Sequence, residues 1–126
     1  SFVKDIIEGN QVEVYGDKDR KKNIIYVKDL VELVLRLIPV SGDGFNAYNV
    51  CGEDVHLGLF LDNTISVVGN GDYVTKDFPQ EVKNIKKAVF SNEKLSNKIG
   101  YFQMTDLKTS VANTIAYFKS RIGRRE

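Results

Sequence analysis

The feature that most constrains the fold of this chain is a strongly apolar segment, residues 30–38, between two short stretches typical of β-strands. This segment is apolar nearly all round a helix, and such helices are buried on more than one side. The preceding stretch covers residues 24–27. The following one covers residues 45–51 and is apolar enough for the interior of a sheet. This order predicts a strand, helix, strand unit with a right-handed parallel crossover.

Local signals indicate where the central helix begins and ends. Asp29 can accept hydrogen bonds from the free amides of the first turn, and Glu32 would complete a capping box with it. Pro39 ends the helix, because its ring removes an amide donor and blocks continuation. We therefore expect a helix over residues 30–38 with Asp29 as its N-cap.

The segments before this unit predict shorter elements. Residues 2–8 have an apolar helical stripe closed by Gly9 and Asn10, so the chain, which starts at Ser1, begins in mid-element. That start favours a piece of a longer protein. Residues 12–15 predict a short strand with a turn after it, and residues 17–22 a charged loop.

The segments after the unit predict mostly helices. Residues 57–68 fit a helix or a strand, and we prefer a helix because its apolar residues share one face. Edge strands or extended loops are expected at 73–78 and 88–90, and a short helix at 95–99 after a cap at Ser91 or Asn92. Thr105 is expected to cap a final helix, whose inward stripe is Leu107, Val111, Ile115 and Phe118. The predicted class is α/β bordering on α+β, with a small mixed sheet and flanking helices.

Composition narrows the function further. The chain has 126 residues, 42% hydrophobic and 28% charged, which suits one soluble globular domain. The net charge of +1 gives no strong attraction to nucleic acid or membranes, and no apolar run reaches membrane-span length. Cys51 is the one cysteine, which fits a reducing compartment such as the cytoplasm. His56 lacks Cys or carboxylate neighbours at ligand spacing, so we expect no metal site.

Several short blocks occur in an order that resembles the C-terminal part of the extended short-chain dehydrogenase/reductase family. This family comprises the NAD-dependent nucleotide-sugar epimerases and dehydratases. The blocks cover residues 2–4 with 8–9, 15–17, 26–29, 48–52, 91–95 and 99–101. The chain contains neither a Gly-x-x-Gly-x-x-Gly phosphate loop nor a Tyr-x-x-x-Lys pair, so we assign no catalytic and no cofactor-binding residue.

The resemblance implies a role for the chain within a larger enzyme. Residues 1–126 would form a single domain or fragment, the substrate-binding C-terminal part, without the N-terminal NAD-binding Rossmann part. The full-length enzyme would use NAD(P) on a nucleotide sugar, and this chain alone would bind no cofactor. Epimerase, dehydratase and reductase chemistry all remain open, since they share this half.

The resemblance also suggests substrate-binding residues. Val14 and Tyr15 align with strand residues that face the nucleotide base in relatives, although an aromatic residue on a strand is often packing. Lys22 stands where relatives carry a diphosphate-binding Arg, but it belongs to a charge run typical of a solvated loop. Lys86, near Lys83 and Lys87, corresponds to a second such Arg or to a solvated basic face.

A second hypothesis stays open beside the enzyme. The family usually has Gly-Asp-Gly after the first strand, and this chain has Lys18 in place of the second Gly. The family usually has an Arg-Asp pair just before the second strand, and this chain has Lys22-Asn23 there. These departures favour a non-catalytic module that binds a nucleotide or a partner protein. In either case, a chain detached from its Rossmann part would expose an apolar face, and such a face favours a homodimer.

Overall fold

The computed structural model of the protein describes residues 2–40, 42–78 and 89–122, which form two compact units. The first unit takes its residues from 1–22, 55–85 and 106–126, and the second from 23–54 and 86–105. The elements are α1 (Phe2–Ile7), β1 (Val12–Tyr15), β2 (Lys21–Ile24), α2 (Val27–Leu37), a 3-10 turn (Ile38–Val40), β3 (Glu53–His56), α3 (Leu57–Val68), β4 (Tyr73–Lys76), α4 (Glu93–Ile99) and α5 (Leu107–Ile122).

The strands form two small sheets. β1 pairs with β4 in parallel, with Val12 opposite Tyr73 and Tyr15 opposite Lys76. β2 pairs with β3 in a second two-stranded sheet. Helices accompany both sheets, so the predicted α/β class is confirmed, although the strands divide between two sheets.

The core of the first unit follows from periodicity. Along β1, Val12 and Val14 are buried while Glu13 and Tyr15 are exposed, the period-2 alternation of a half-buried strand. The two valines pack with apolar residues of α1 and α3, namely Ile6, Leu57 and Leu61. A neighbouring cluster joins α1 to the predicted inward stripe of α5 and contains Val3, Val111 and Ile115. The preference for a helix at residues 57–68 is thereby confirmed.

In the second unit, the central helix differs from the expectation. α2 begins at Val27, so Asp29 lies inside the first turn and is not the N-cap. Its buried carboxylate accepts two hydrogen bonds from Thr105, one from the backbone amide at 2.9 Å and one from the hydroxyl at 2.7 Å. Glu32 accepts from Arg36 Nε at 2.9 Å and forms no capping box. The predicted end is confirmed, since Pro39 lies in the 3-10 turn that follows α2.

The predicted cap of the last helix was wrong by one residue. Thr105 is engaged by Asp29, and Asp106 Oδ1 instead accepts from the Thr109 amide at 2.9 Å. This hydrogen bond lowers the pKa of Asp106, because an amide donor stabilises the charged carboxylate. The N-cap residue of α4 is Asn92, whose side chain makes no capping hydrogen bond, and Ser91 Oγ accepts from the Glu93 amide at 3.1 Å.

Two strand predictions were also wrong. A strand was expected at residues 24–27, but the observed strand β2 covers Lys21–Ile24. It therefore takes in the last two residues of the predicted loop, and α2 already begins at Val27. Residues 45–51 form no strand. A strand requires a neighbouring strand to bond with, and the described residues provide none there. The second strand of the predicted strand, helix, strand unit is instead β3, which pairs with β2. At 88–90, residue 88 lies outside the described residues, and residues 89 and 90 form no strand.

Burial of α2 on several sides was a further wrong expectation. Only Asp29 and Leu33 of this helix are buried. Five of its large apolar side chains, counting the residue that ends the helix, are 47–64% exposed. They are Val27, Val31, Val34, Leu35 and Ile38. The helix thus has the composition of a buried element and an uncovered apolar face.

The Asp29–Thr105 contact generates a stability prediction. The Asp29→Ala variant is expected to lower the free energy of unfolding by about 2–3 kcal/mol, because two hydrogen bonds to a buried charged group are lost. Thr105→Val keeps the backbone bond and should cost about 1 kcal/mol. Glu32→Ala on the exposed face is the control, with an expected cost of about 0.3 kcal/mol. Urea denaturation measures all three, and equal costs would contradict this role of Asp29.

The cross-strand pair on the β1–β4 sheet generates a prediction about pH. Lys76 Nζ donates to Glu13, and this bond lowers the pKa of Glu13 below its usual 4.5 and raises the pKa of Lys76 above its usual 10.5. The carboxylate therefore stabilises the fold fully above pH 4.5 and loses that effect as the pH falls through the lowered pKa. The ammonium stabilises fully below pH 10.5 and loses that effect as the pH rises through the raised pKa.

The Tm of Glu13→Gln should accordingly lie below that of the parent chain at neutral pH, and the difference should close in acid. Glu53→Gln, another exposed substitution on a strand, is the matched control and should show no such pH-dependent difference. A gap for Glu13→Gln that stays constant down to strongly acid pH would contradict the ion pair.

Candidate functional site

The first candidate site is the surface of the first unit formed by Tyr15 and the β1–β2 loop, residues 16–20. Val14 and Tyr15 point to opposite faces of β1, so the strand does not bring the two side chains together. Val14 is 1% exposed in the core, which leaves only its backbone for a ligand. Tyr15 is 44% exposed, and its hydroxyl donates to Glu13 Oε2 at 3.2 Å. Lys22 is exposed on β2, and Lys86 lies outside the described residues.

Hydrogen bonds from residues 56–58 hold the backbone of the β1–β2 loop. The carbonyl of Lys18 accepts from the Gly58 amide at 2.8 Å, and that of Arg20 accepts from the Leu57 amide at 3.1 Å. The intervening carbonyl of Asp19 lies 2.6 Å from His56 Nδ1. Since a carbonyl only accepts, this nitrogen carries the proton. Three successive carbonyls are thus fixed, and the loop is ordered before any ligand arrives.

The loop begins at a glycine that the packing requires. Gly16 has a φ of +84°, a conformation that favours glycine. A Cβ at this position would lie 2.0 Å from the ring of Phe78, so only glycine lets the ring approach. The Gly16 amide also donates to the Lys76 carbonyl at 2.7 Å, which continues the β1–β4 pairing by one residue.

Arg20 is a residue of this loop that sequence reasoning missed. Its guanidinium carbon lies 5.0 Å from the centroid of the Phe78 ring, a cation–π contact. Its Nε is buried, and within the described ranges it has no hydrogen-bond partner. The sequence shows Arg20 only as one member of a basic run, and the contact with Phe78, 58 residues away, leaves no local signal.

A phenol of the first unit has a perturbed pKa. Burial raises the pKa of Tyr73, and the nearby negative charge of Asp62 and a hydrogen bond to it raise it further. Tyr73 therefore stays a neutral phenol at physiological pH. Its environment stabilises the protonated form, which is the opposite of what a general base needs.

The second unit contains a cavity of about 250 Å³. It is lined mainly by apolar groups of α2, α4 and the segment after α4, among them Leu33, Cys51, Leu95, Tyr101, Phe102 and Met104. One wall is fixed by Asn92, whose amide accepts from the Cys51 amide at 2.6 Å and donates to the Cys51 carbonyl at 2.7 Å. No charged residue lines this cavity, so it is a poorer place for a phosphate than the β1–β2 loop.

Neither a group of metal ligands nor a membrane-spanning helix occurs in residues 2–40, 42–78 and 89–122. No three His, Cys, Asp or Glu residues in these ranges lie close enough together to hold a metal ion. No helix there combines the length and apolarity needed to cross a membrane.

The sequence matches no family model and no curated protein. The structure, by contrast, is similar to several solved enzymes. UDP-glucose 4-epimerase from Thermotoga maritima, solved with UDP-glucose, gives a TM-score of 0.76 at 20% identity over 96% of this chain and 38% of that chain. The Bordetella bronchiseptica enzyme WbmF, solved with NADH, gives 0.76 at 17% identity over 97% of this chain and 36% of that chain.

A third similar structure is dTDP-glucose 4,6-dehydratase from Bacillus anthracis, solved with NAD. Its TM-score is 0.69 at 17% identity over 94% of this chain and 38% of that chain. WbmF has also been solved in complex with NAD+ and UDP. This chain spans less than two fifths of the length of each of these enzymes. It therefore has the fold of part of the NAD-dependent nucleotide-sugar epimerases and dehydratases, as the sequence resemblance predicted.

Proposed function

We propose that this chain is the substrate-binding portion of an NAD(P)-dependent enzyme that epimerises or dehydrates a nucleotide sugar. The likeness of nearly the whole chain to part of a UDP-glucose 4-epimerase and part of a dTDP-glucose 4,6-dehydratase carries the proposal. The chain would be the C-terminal part, cytoplasmic, and not catalytic by itself. A separate NAD-binding portion would hold the cofactor.

The cofactor belongs to that other portion because the described residues do not suit it. Dinucleotide sites use a glycine-rich turn that leads from a strand into a helix N-terminus. Here β2 passes into α2 through Ile25 and Tyr26, and β3 passes directly into α3. NAD(P) would supply hydride chemistry in the assembled enzyme. This chain would orient the nucleotide sugar, neutralise its diphosphate and exclude water.

The β1–β2 loop and its surroundings support a diphosphate-binding role. Three cationic residues follow one another at Arg20, Lys21 and Lys22, on a backbone that residues 56–58 hold in place. Tyr15 presents a half-exposed ring at the end of β1, where the nucleotide would lie. Lys86 remains part of the proposal as a second phosphate contact.

The exposed face of α2 supports the presence of an NAD-binding portion. Val27, Val31 and Leu35 are more than half exposed and follow one another at four-residue spacing, so they form one stripe. Residues 45–51 have the pattern of an interior strand and lack a strand partner among the described residues. A sheet with an open edge, as in a dinucleotide-binding portion, would cover the stripe and pair with this segment.

The competing interpretation is a non-catalytic module that binds a nucleotide or a partner protein. The departures at Lys18 and Lys22 favour it. Asn23 does not, because it has a structural role of its own. Its amide accepts from the Gly52 amide at 2.9 Å and donates to Asp54 Oδ1 at 2.9 Å. An aspartate could not make both contacts while charged.

The native polypeptide distinguishes the two interpretations. Captured from source cells with an antibody to this segment, it should have a mass well above 14.2 kDa and release NAD(P) on denaturation. It should also convert a nucleotide sugar. A native mass near 14.2 kDa with no bound dinucleotide would contradict the enzyme portion and favour the module.

The α2 stripe generates a prediction for the isolated chain. Without its covering portion, the chain should self-associate, as a homodimer or larger, because the stripe is apolar and exposed. Val31→Lys should reduce the association measured by sedimentation velocity. Gln103→Lys is the control, because it adds the same positive charge at an exposed polar position. It should leave association unchanged. Equal, fully monomeric behaviour of all three chains would contradict a face that needs covering.

A further inference from the structure

We propose that Asn70 is a site of spontaneous covalent modification, at which its side chain cyclises onto the backbone nitrogen of Gly71 and the ring is then hydrolysed. Water is the only other reactant, and the asparagine becomes an aspartyl or an isoaspartyl residue. The inference is independent of the proposed function, since it concerns the connection between α3 and β4. This connection begins at Gly69, the left-handed C-cap of α3, and leads to Tyr73, the first residue of β4.

The freedom of the two reacting groups is the first observation. Asn70 and Gly71 are both exposed and lie in neither a helix nor a strand. Within the described part of the chain, neither the side-chain amide of Asn70 nor the backbone amide of Gly71 has a hydrogen-bond partner. A helix or a sheet would engage the backbone amide and hold it away from the side chain. Here no hydrogen bond has to break before the two groups meet.

The glycine after Asn70 is required by packing, which is the second observation. Gly71 has a φ of +121°, a conformation that other residues rarely adopt. A Cβ there would lie 2.9 Å from Cγ2 of Ile6, a fully buried residue of α1. The missing side chain also leaves the Gly71 nitrogen unshielded toward Asn70. The fold therefore places after Asn70 the residue that hinders cyclisation least.

The reaction balances without an oxidant, a reductant or a second protein. The Gly71 nitrogen forms a bond to the side-chain carbonyl carbon of Asn70, and the bond from that carbon to the side-chain nitrogen breaks. The side-chain nitrogen leaves as ammonia, which takes the proton of the Gly71 amide. The attack is intramolecular, because the two groups belong to adjacent residues. Water then opens the cyclic imide at either carbonyl, which gives the aspartyl or the isoaspartyl form.

The position of Asn70 determines what the modification does to the fold. An isoaspartyl residue carries the chain through its side chain and so adds a backbone carbon just before β4. The pairing of β4 with β1 begins directly afterwards, since the Val12 amide donates to the Asp72 carbonyl at 3.1 Å. The new carboxylate also lies near that of Asp72, and like charges repel. The modification therefore destabilises the β1–β4 sheet.

The test follows the purified 126-residue chain during incubation at physiological temperature and pH, with peptide mapping by mass spectrometry. Asn70 should convert with time, and the aspartyl and isoaspartyl forms should appear together, because both arise from the same imide. Asn10 is the internal control, since it is exposed and outside a helix but precedes Gln11. It should stay unmodified over the same period. A parallel sample in guanidinium chloride reports the conversion of the unfolded chain.

Two variants connect the modification to stability. Asn70→Gln greatly slows the cyclisation, and no hydrogen bond of the Asn70 side chain is lost. Its Tm should match that of the fresh parent chain and stay constant during incubation, whereas the Tm of the parent chain should fall. Asn70→Asp supplies the charge without the added backbone carbon. Its Tm should lie between those of the fresh and the converted parent chain.

Three results would overturn the inference. The first is an Asn70 that stays unmodified in the folded chain while it converts in guanidinium chloride, because the fold would then protect it. The second is equal conversion of Asn10, which would show that exposure alone is responsible. The third is conversion to the aspartyl form without the isoaspartyl form, which would show direct hydrolysis with no imide. An equal loss of Tm by Asn70→Gln on incubation would overturn the effect on the sheet.

Discussion

The first unit depends on the hydrogen bonds between the β1–β2 loop and the start of α3. The first amides of any helix lack partners within the helix. Here Leu57 and Gly58 donate theirs to the carbonyls of Arg20 and Lys18. The loop thus caps the helix, and the helix holds the loop. Because α3 also carries Leu57 and Leu61 into the core, the position of the loop is tied to the most buried part of the unit.

In the second unit, side-chain amides satisfy backbone groups that have no partner in a helix or sheet. Residues 45–52 form no strand, yet the backbone of Cys51 and Gly52 is fully paired. Asn92 donates to and accepts from Cys51, and Asn23 does the same for Gly52. A Cβ at residue 52 would lie 1.8 Å from the Ile24 carbonyl, so glycine is required for this approach. The two amide side chains reproduce locally the donor and acceptor pair that a neighbouring strand would provide.

The sequence predicted the parts of the fold that local chemistry determines. The alternation of Val12 and Val14 indicated β1, and the spacing of Val111 and Ile115 indicated the buried face of α5. Prediction failed where the outcome depends on distant partners. The segment 45–51 reads as a strand, but strand formation requires a neighbouring strand. Asp29 reads as a cap, but its carboxylate binds Thr105, 76 residues away. For the same reason no local signal indicated Arg20, whose surroundings are formed by Phe78 and by residues 56–58.

The exposed stripe of α2 and the ordered β1–β2 loop point to one interpretation of the chain. A helix with the composition of a buried element and an uncovered face is consistent with a portion of a larger protein. A cationic loop ordered in advance is consistent with a portion that contacts an anionic substrate. The two features lie in different units, and each supports a different part of the proposed function.

The measurement that tests this account most directly is a map of backbone amide chemical shifts as UDP is added to the 15N-labelled chain. The account predicts shifts concentrated at residues 15–22 and 56–58, where the loop and the amides that hold it lie. Shifts concentrated instead around the cavity of the second unit, at residues 51–52 and 92–104, would contradict it. So would a spectrum that UDP leaves unchanged.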